Sequence, residues 1–406
     1  KNTWLKSEAD VDIFVRFPRT SPDEVLKEVG VPIGFDALKD LKPNLRYAEH
    51  PYVEGFYKTV RVNIVPCFDT LKGEWRSAAD RSLQHTDLIN KSYNAKLRTN
   101  ARLLKVFLKN LGLYGAEVKI QGFSGYVAEI LILKFGSFKN LLVAASDFKK
   151  GELISLETIS RKHLESHKSP LDILDPVDLK RNLGAAISNY NVALFVIASR
   201  FFLQKPSLNY FNTIMPAYKT RPVNSLINQV IVVFFSYKTR SPDILWGQLR
   251  RSVNRLRKQI ESMGFKVLRY RCSSDEISTG AFLFFVEQLT LNTKSVKVGP
   301  FYHLHPDCDK FLSLNVKKVD LLWISEDGRI QGLIERDETN VSDALHNLLG
   351  PKLSRSGVAP GLVKDLSKGF KIFTGRSCLS LASKYNWINS GLIDLLNTHE
   401  FVFGES

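Results

Sequence analysis

Cysteine is scarce and dispersed: the 406-residue chain has four, Cys67, Cys272, Cys308 and Cys378, with no C-x-x-C pair among them. A disulfide framework or a cysteine zinc site has little to build on, and a reducing, cytoplasmic setting fits. No stretch approaches the roughly 18 uninterrupted apolar residues that a membrane span needs. The most apolar run, Val230-Ile231-Val232-Val233-Phe234-Phe235, has the length of a buried strand. Lys1-Asn2-Thr3-Trp4 offers neither an initiator Met nor the apolar region of a signal peptide, so the chain is expected to begin partway into something longer. Internal repeats and low-complexity tracts are missing as well. Acidic charge is in deficit, with 41 Asp and Glu against 57 Lys and Arg, a net charge of +16 and a pI of about 9.5. That excess favours a polyanionic partner through counterion release. No basic amphipathic segment is also strongly apolar, which points to nucleic acid and away from a membrane surface.

What is present is ordinary for a globular protein: 44% hydrophobic and 24% charged residues, with length for about three domains. Residues 9–15 read as a strand, 22–29 as a short helix and 61–65 as a second strand stopped by Pro66. A polar stretch, 72–96, leads to a helix over 97–111, whose stripe is Leu103, Leu104, Phe107, Leu108 and Leu111, with Gly112 as the stop. Helical character continues through 126–133, so 97–215 is expected to be largely helical. Beyond Pro216 and Pro222 the pattern changes to a strand at 229–235 and an amphipathic helix carrying Leu245, Leu249, Val253, Leu256 and Ile260. Strands at 266–270 and 281–289 follow, the second of which could also be helical. This β-α-β-β order suggests a small sheet with helices on one face. Residues 321–324 and 330–334, around Glu326-Asp327-Gly328, read as a hairpin.

The sharpest chemical signal is Asp10-Val11-Asp12 at the head of the first strand. Residues two apart on a strand face the same side, so both carboxylates point one way. Two such acids repel each other unless a cation sits between them, and hard oxygen ligands favour Mg²⁺. Nucleotidyl transfer needs such ions, to activate a 3′-hydroxyl and to hold a triphosphate. By itself a D-x-D is better explained as an exposed strand with two solvated acids.

The neighbouring segments carry a resemblance. Asn2-Thr3-Trp4-Leu5, Asp10 to Phe14 and Phe17-Pro18 are followed by Arg46-Tyr47-Ala48-Glu49-His50-Pro51-Tyr52 and Val62-Asn63-Ile64-Val65-Pro66-Cys67. Ser77-Ala78-Ala79-Asp80-Arg81 with His85, then Arg102-Leu103-Leu104-Lys105, Lys109, Tyr114-Gly115-Ala116-Glu117 and Gly122 to Tyr126 come in order. Asp175-Pro176-Val177-Asp178 and Lys180-Arg181-Asn182 close the series. Together they resemble the archaeal type of CCA-adding enzyme, a tRNA nucleotidyltransferase, strongly over 1 to about 190 and more loosely beyond. The resemblance implies an α+β chain with a polymerase-β-like nucleotidyltransferase palm (1–95), a helical central domain (96–215) and C-terminal α+β parts (216–406) that bind the tRNA acceptor arm. It implies template-independent addition of C, C and A from CTP and ATP with Mg²⁺. Asp10 and Asp12 would be metal carboxylates. His85, Lys109 and Lys1 would contact the nucleotide, and Arg181 would help to select CTP or ATP.

Departures from the family pattern accompany it. A Gly-Ser pair that holds the triphosphate would precede Lys1. Val118 stands where some relatives have a nucleotide-contacting Tyr, and Asn63 where the third metal carboxylate is expected. A poly(A)-adding polymerase sharing the palm and a catalytically degenerate tRNA-binding relative remain alternatives, and a homodimer is left open. Other constellations are weaker. His163 and His167 are four apart, but the Glu between them is misplaced for H-E-x-x-H, so a polar helix face accounts for them better than zinc. His303, His305 and Cys308 could bind a metal, although an RNA-touching loop or strand fits better. Arg250, Arg251, Arg255, Arg257 and Lys258 crown the polar face of the amphipathic helix, and Arg250, Arg251 and Arg255 are expected on the tRNA backbone.

Overall fold

The structure, a computed structural model, describes residues 1–5, 10–47, 51–71, 73–158, 169–211 and 225–396. It separates into two compact units, Lys1–Pro216 (with Glu400–Ser406) and Ala217–His399. No helix among the described residues is long and apolar enough to cross a membrane. The His163–His167 pair lies outside the described residues.

In the first unit, strands β1 (Val11–Pro18), β2 (Asn44–Tyr47), β3 (Pro51–Tyr57) and β4 (Val60–Asp69) form one sheet in the order β1-β4-β3-β2. β1 and β4 run parallel and the other neighbours antiparallel. Because successive side chains face opposite sides, Val53 and Ile64, with Val15 and Val62 beside them, turn toward α1 (Val31–Ala37) and make a small core with Val31 and Leu38. Gly34 permits that close approach: a Cβ there would lie 2.7 Å from Cγ2 of Val53. Asp12, Asn63 and Glu54 are left on the other side, directly opposite one another across three strands.

Two local expectations fail here. β4 does not stop at Pro66 but pairs with β1 as far as Asp69. Since β3 accompanies β4 only to Ile64, Pro66 has one side without a neighbouring strand, where a missing N–H costs no ladder bond. The polar stretch after it contains α2 (Ala78–Ser92), a full helix. Its signal is the capping box Ser77-x-x-Asp80 and not an apolar stripe. Buried Asp80 accepts from the amides of Phe68 (2.7 Å), Arg76 (2.9 Å) and Ser77 (2.8 Å) and from the Ser77 hydroxyl (2.8 Å), tying the end of β4 to the start of α2.

Helices α3 (Ala95–Asn110), α4 (Gly125–Phe135), α5 (Phe138–Ala145) and α6 (Asn189–Gln204) start at Asn94, Ser124, Ser137 and Ser188, each of which caps its helix by a side-chain bond. Leu104, Phe107 and Leu108 of the expected stripe are fully buried with Phe123, Ile130 and Phe195, whereas Leu103 is exposed. Two short parallel strands, β5 (Glu152–Ile154) and β6 (Leu171–Ile173), interrupt the helical run. At Gly122 a Cβ would come within 2.0 Å of the Leu113 carbonyl oxygen, so the turn into α4 needs glycine.

The second unit has two sheets. Strands β7 (Val230–Ser236), β8 (Val267–Ser274) and β9 (Thr279–Val286) surround α7 (Pro242–Ser262) in the expected order, with β9 a strand rather than a helix. The other sheet holds β10 (Lys294–Phe301), β11 (Val319–Ile324) and β12 (Arg329–Glu335), with α8 (His305–Asn315) before the β11–β12 hairpin. Helices α9 (Val341–Leu349) and α10 (Pro360–Leu366) lead to β13 (Phe370–Thr374), then α11 (Ser377–Lys384) and α12 (Asn386–Leu396). The first sheet has the order β13-β7-β9-β8. Leu249 of α7 lies on the Gly280 and Phe235 side, while Val230, Val232, Ala281 and Leu283 pack with Leu381, Ile388 and Leu392 of the last two helices. Both faces are therefore covered, not one as the strand order suggested, because β7 and β9 are apolar on both sides.

Replacing Asp80 by Ala should cost about 2 kcal/mol, since it removes half of the capping box and strands the buried Phe68 amide along with two part-buried ones. The shift of the urea unfolding midpoint measures it, and a loss near zero would mean that water can replace the carboxylate.

Candidate active site

The side of the first sheet away from α1 carries a row of charged groups. Asp12 pairs in register with Asn63, whose amide Nδ2 donates to Asp12 Oδ1 at 2.8 Å. The structure thus sets Asn63 beside Asp12, on the side that the family resemblance implied. The other amide atom, Asn63 Oδ1, is buried without a hydrogen-bond partner. Asp10, one residue ahead of β1, accepts from Arg61 Nη2 at 2.7 Å. On the far side of Asn63, buried Glu54 accepts from Arg46 Nε at 2.9 Å and Nη2 at 2.8 Å, and its second oxygen lies 3.7 Å from Arg61 Nη1. Arg61 and Glu54 were not singled out from the sequence. Arg61 was within reach of the same two-residue rule that paired Asp10 with Asp12, because it precedes Asn63 by two.

This donor set fits a hard divalent cation: two carboxylates at adjacent same-side positions and an amide oxygen left without a donor in a row where its neighbours are paired. Among the described residues no group of three or more His, Cys, Asp and Glu could hold a metal ion, and at this row the third position is an amide. The metal reading of His303, His305 and Cys308 falls with that result; the Cys308 thiol donates to the Phe301 carbonyl at 3.2 Å and His305 begins α8.

Asp10 and Asp12 open on a cavity of about 300 Å³, whose other walls are Lys1 to Leu5, Lys105, Tyr114 and Glu129. A buried ionic cluster builds its floor. Lys105 Nζ on α3 donates to Glu129 on α4 at 2.8 Å and to the Thr3 carbonyl at 3.0 Å, and Lys1 Nζ lies 3.3 Å from the other Glu129 oxygen. Burial alone would raise the Glu129 carboxyl, but the ammonium groups of Lys105 and Lys1 outweigh it and hold it below the usual carboxylate range. Burial pulls Lys105 below an ordinary lysine, although Glu129 opposes that shift. Gly125 keeps the approach open, since a Cβ there would sit 3.0 Å from the Tyr114 hydroxyl.

A second cluster forms around Asp175. Its carboxylate meets His85 Nε2 at 2.8 Å and accepts from Arg181 Nη1 at 3.4 Å, from the Val177 amide at 3.0 Å and from the Tyr126 hydroxyl at 3.4 Å. The His85 ring stacks on Tyr126 with centroids 4.0 Å apart, and Lys1 Nζ lies 5.1 Å from the same tyrosine ring. Burial would raise the Asp175 carboxyl, but the His85 hydrogen bond and charge, with the Val177 amide and Arg181, keep it lowered. An ionised Asp175 accepts from the N–H at Nε2 of His85, which fixes the orientation of the ring. Lys1, His85 and Arg181, far apart in sequence, are therefore gathered about one tyrosine and one aspartate. Asp175 and Tyr126 were quoted from the sequence only as parts of segments; no local spacing marks a pair 90 residues apart. Lys109 lies half-buried one turn beyond Lys105 on α3, and Val118 half-buried in the turn before Gly122.

On α7 in the second unit, Arg251, Arg255 and Lys258 are exposed at helical spacing. Arg250 departs from expectation. It lies on the flank toward β8, where burial lowers its guanidinium below the ordinary value, near Cys272 and Arg271. Arg257 is also on a flank, held by Glu261 at 2.7 Å and lying over the Tyr270 ring.

Two family models match the chain: tRNA nucleotidyltransferase, second domain, over residues 99–212, and CCA-adding enzyme, C-terminal domain, over 228–375. The CCA-adding enzyme of Sulfurisphaera tokodaii is 36% identical over 342 residues, 84% of this chain and 79% of that one. That of Saccharolobus shibatae is 35% identical with the same coverage, and that of Sulfolobus acidocaldarius 33% identical over 87% of this chain and 82% of its own. Among solved structures, the Cid1 poly(U) polymerase is 13% identical with a TM-score of 0.38, over 49% of this chain and 77% of that one. Identity above 30% over more than four-fifths of the sequence, with a family model on each unit, makes the assignment: the chain belongs to the CCA-adding enzyme family.

Proposed function

We propose that this CCA-adding tRNA nucleotidyltransferase works through the acid row of its first sheet, with Asp10, Asp12 and Asn63 as ligands of Mg²⁺. The reaction is stepwise transfer of CMP, CMP and AMP from CTP and ATP to the tRNA 3′ end, with release of pyrophosphate. The observation that carries the residue assignment is the cross-strand pair of Asp12 and Asn63 with an amide oxygen left without a donor, beside a cavity that also reaches Lys1 and Lys105. In this reading 1–95 is the palm, 96–215 the helical domain and 216–406 the part that grips the acceptor arm.

When bound, Mg²⁺ supplies charge neutralisation for the triphosphate and lowers the cost of ionising the 3′-hydroxyl. The protein's own groups do the rest. Asp12, on β1, and Asp10, one residue ahead of it, fix the cation's position. Lys1, His85 and Lys109 bind triphosphate oxygens, with His85 oriented by Asp175 so that one ring nitrogen faces away from the carboxylate. Arg181, held by the same Asp175, presents its remaining donors to the base, and Val118 packs against base or ribose without a polar contact. Asn63 can offer an oxygen but cannot take a proton. Arg251 and Arg255, exposed on α7, contact the tRNA backbone; Arg250 is a weaker candidate on account of its burial.

Supplied with tRNA lacking its terminal triplet and all four nucleoside triphosphates, the chain should add C, C and A and stop, which sequencing of the new tail reads directly. A run of A would indicate a poly(A)-type activity instead. Lys109→Ala should raise the KM for CTP and for ATP alike, roughly tenfold or more for a lost phosphate contact, while tRNA affinity stays nearly unchanged. Collapse of tRNA binding with nucleotide binding intact would assign Lys109 to the wrong ligand.

The buried Glu129 gives a pH dependence. A carboxyl depressed in the folded state contributes stability that is complete above its unfolded value, about 4.3, and is lost as pH falls through the folded value. Acidification from about pH 6 to pH 3 should lower the thermal midpoint of the parent chain more than that of Glu129→Gln, whose midpoint starts lower because Lys105 loses its counter-charge. Equal slopes would mean that Glu129 is not ionised in the folded protein.

A further inference from the structure

Arg61 is the one cation that touches the acid row from within the strand bearing Asn63. One of its nitrogens lies 2.7 Å from Asp10 and another 3.7 Å from Glu54. Three carboxylates (Asp10, Asp12, Glu54) and two guanidinium groups (Arg46, Arg61) line this side of the sheet, so the protein itself balances all but one negative charge. One divalent cation would turn that balance positive, and a second would be strongly opposed by charges only a few ångströms away. The third position, which would have to be acidic to offset two ions, is the neutral amide of Asn63.

We propose that Arg61 is a resident cation of this site and stands in for one of two divalent ions, so that the chain binds a single divalent cation in the row of Asp10, Asp12 and Asn63, with Asp10 shared between the ion and Arg61. The proposal rests on the reading of the acid row as the metal site. The geometry divides the row accordingly. One oxygen of Asp10 is taken by Arg61, and Asn63 gives its N–H to Asp12 and keeps a buried oxygen with no donor, a hard ligand that adds no charge. The Asp10–Arg61 pair is itself 40% and 47% exposed, so its strength alone would not exclude a metal. The other end of Arg61 adds to the hold: Glu54, 5% exposed and gripped by Arg46 through two nitrogens, has its second oxygen 3.7 Å from Arg61, a second carboxylate drawing the guanidinium toward the row. Tyr52, whose hydroxyl is raised by burial and then by the Glu54 charge, belongs to the same electrostatic group.

The test counts ions directly, by the electron paramagnetic resonance signal of free Mn²⁺ as the full chain is titrated, without nucleotide. The parent chain should bind one Mn²⁺. Arg61→Lys, which keeps the charge, should behave like the parent. Arg61→Gln should tighten Mn²⁺ roughly tenfold or more, and Arg61→Gln with Asn63→Asp should bind two. Two sites of similar affinity in the parent, or unchanged affinity in an Arg61→Gln chain that melts like the parent, would overturn the proposal. If none of the forms bound Mn²⁺, the metal-site reading would fall with it. Nucleotide addition in the same preparations separates the cases: a parent chain that binds two ions and adds nucleotides refutes the resident cation alone.

Discussion

Parallel pairing of β1 with β4 has a register that satisfies both sides of the sheet at once. With Asp12 opposite Asn63, Val15, Val62 and Ile64 fall under α1 and the polar residues fall together on the other side. A slip of one residue would bury the carboxylates against α1 and expose the valines, since strand side chains alternate with period two. The hydrophobic requirement of a small core thereby sets the geometry of the chemistry. The glycine at 34 tightens the constraint, because α1 sits against Val53 with no room for a side chain between them.

The segment ahead of this sheet meets the helical part through charges. Thr3, two residues after Lys1, is buried against Lys105 and Glu129, which come from different helices. Ions buried in this way are weak contributors to net stability, because desolvation offsets most of the attraction. Their geometry is specific, however: removing one partner leaves the other stranded. The same logic holds at Asp175, whose lowered carboxyl orders His85, Arg181 and Tyr126 together. Both clusters trade stability for the placement of groups that local sequence cannot bring together.

How much of this was legible varied with the range of the interaction. Asp10 and Asp12 were readable because the two-residue repeat of a strand is local. So were Leu104, Phe107 and Leu108, and the hairpin around Gly328. α2 was not, because a helix that buries Ala79, Asp80, His85 and Ile89 has no broad apolar stripe, and its one sign is the Ser77–Asp80 cap. Glu54 reaches Asn63 only through the β3–β4 register, which the turn between Tyr57 and Val60 sets and composition does not reveal. Arg250 is less exposed than Arg251 and Arg255 for a simpler reason. It follows Leu249 and precedes Val253 by three, which puts it on the shoulder of the buried stripe, while Arg251 and Arg255 point away from it. The strand order of the second unit was legible, but its two-sided burial was hidden in an apolar run that fits one covered face or two.

The acid row also stands out against the charge of the chain as a whole. A protein of net charge +16 attracts polyanions from a distance, yet the place where a triphosphate and an RNA 3′ end would meet is lined by carboxylates that repel both. Some cation has to mediate, either diffusible or built in. A diffusible divalent ion offers Lewis acidity but must be bound against its own hydration, and it needs negative charge in the protein to hold it. A built-in guanidinium needs none and is always present, but it cannot polarise a hydroxyl as a metal does. β4 is consistent with that exchange, because the amide at 63 and the arginine at 61 act in the same direction: each leaves the row less negative. On the reading proposed above, anion binding would be retained in full while the chemical step gives up part of its assistance, and affinity and rate would be set by different residues of one strand.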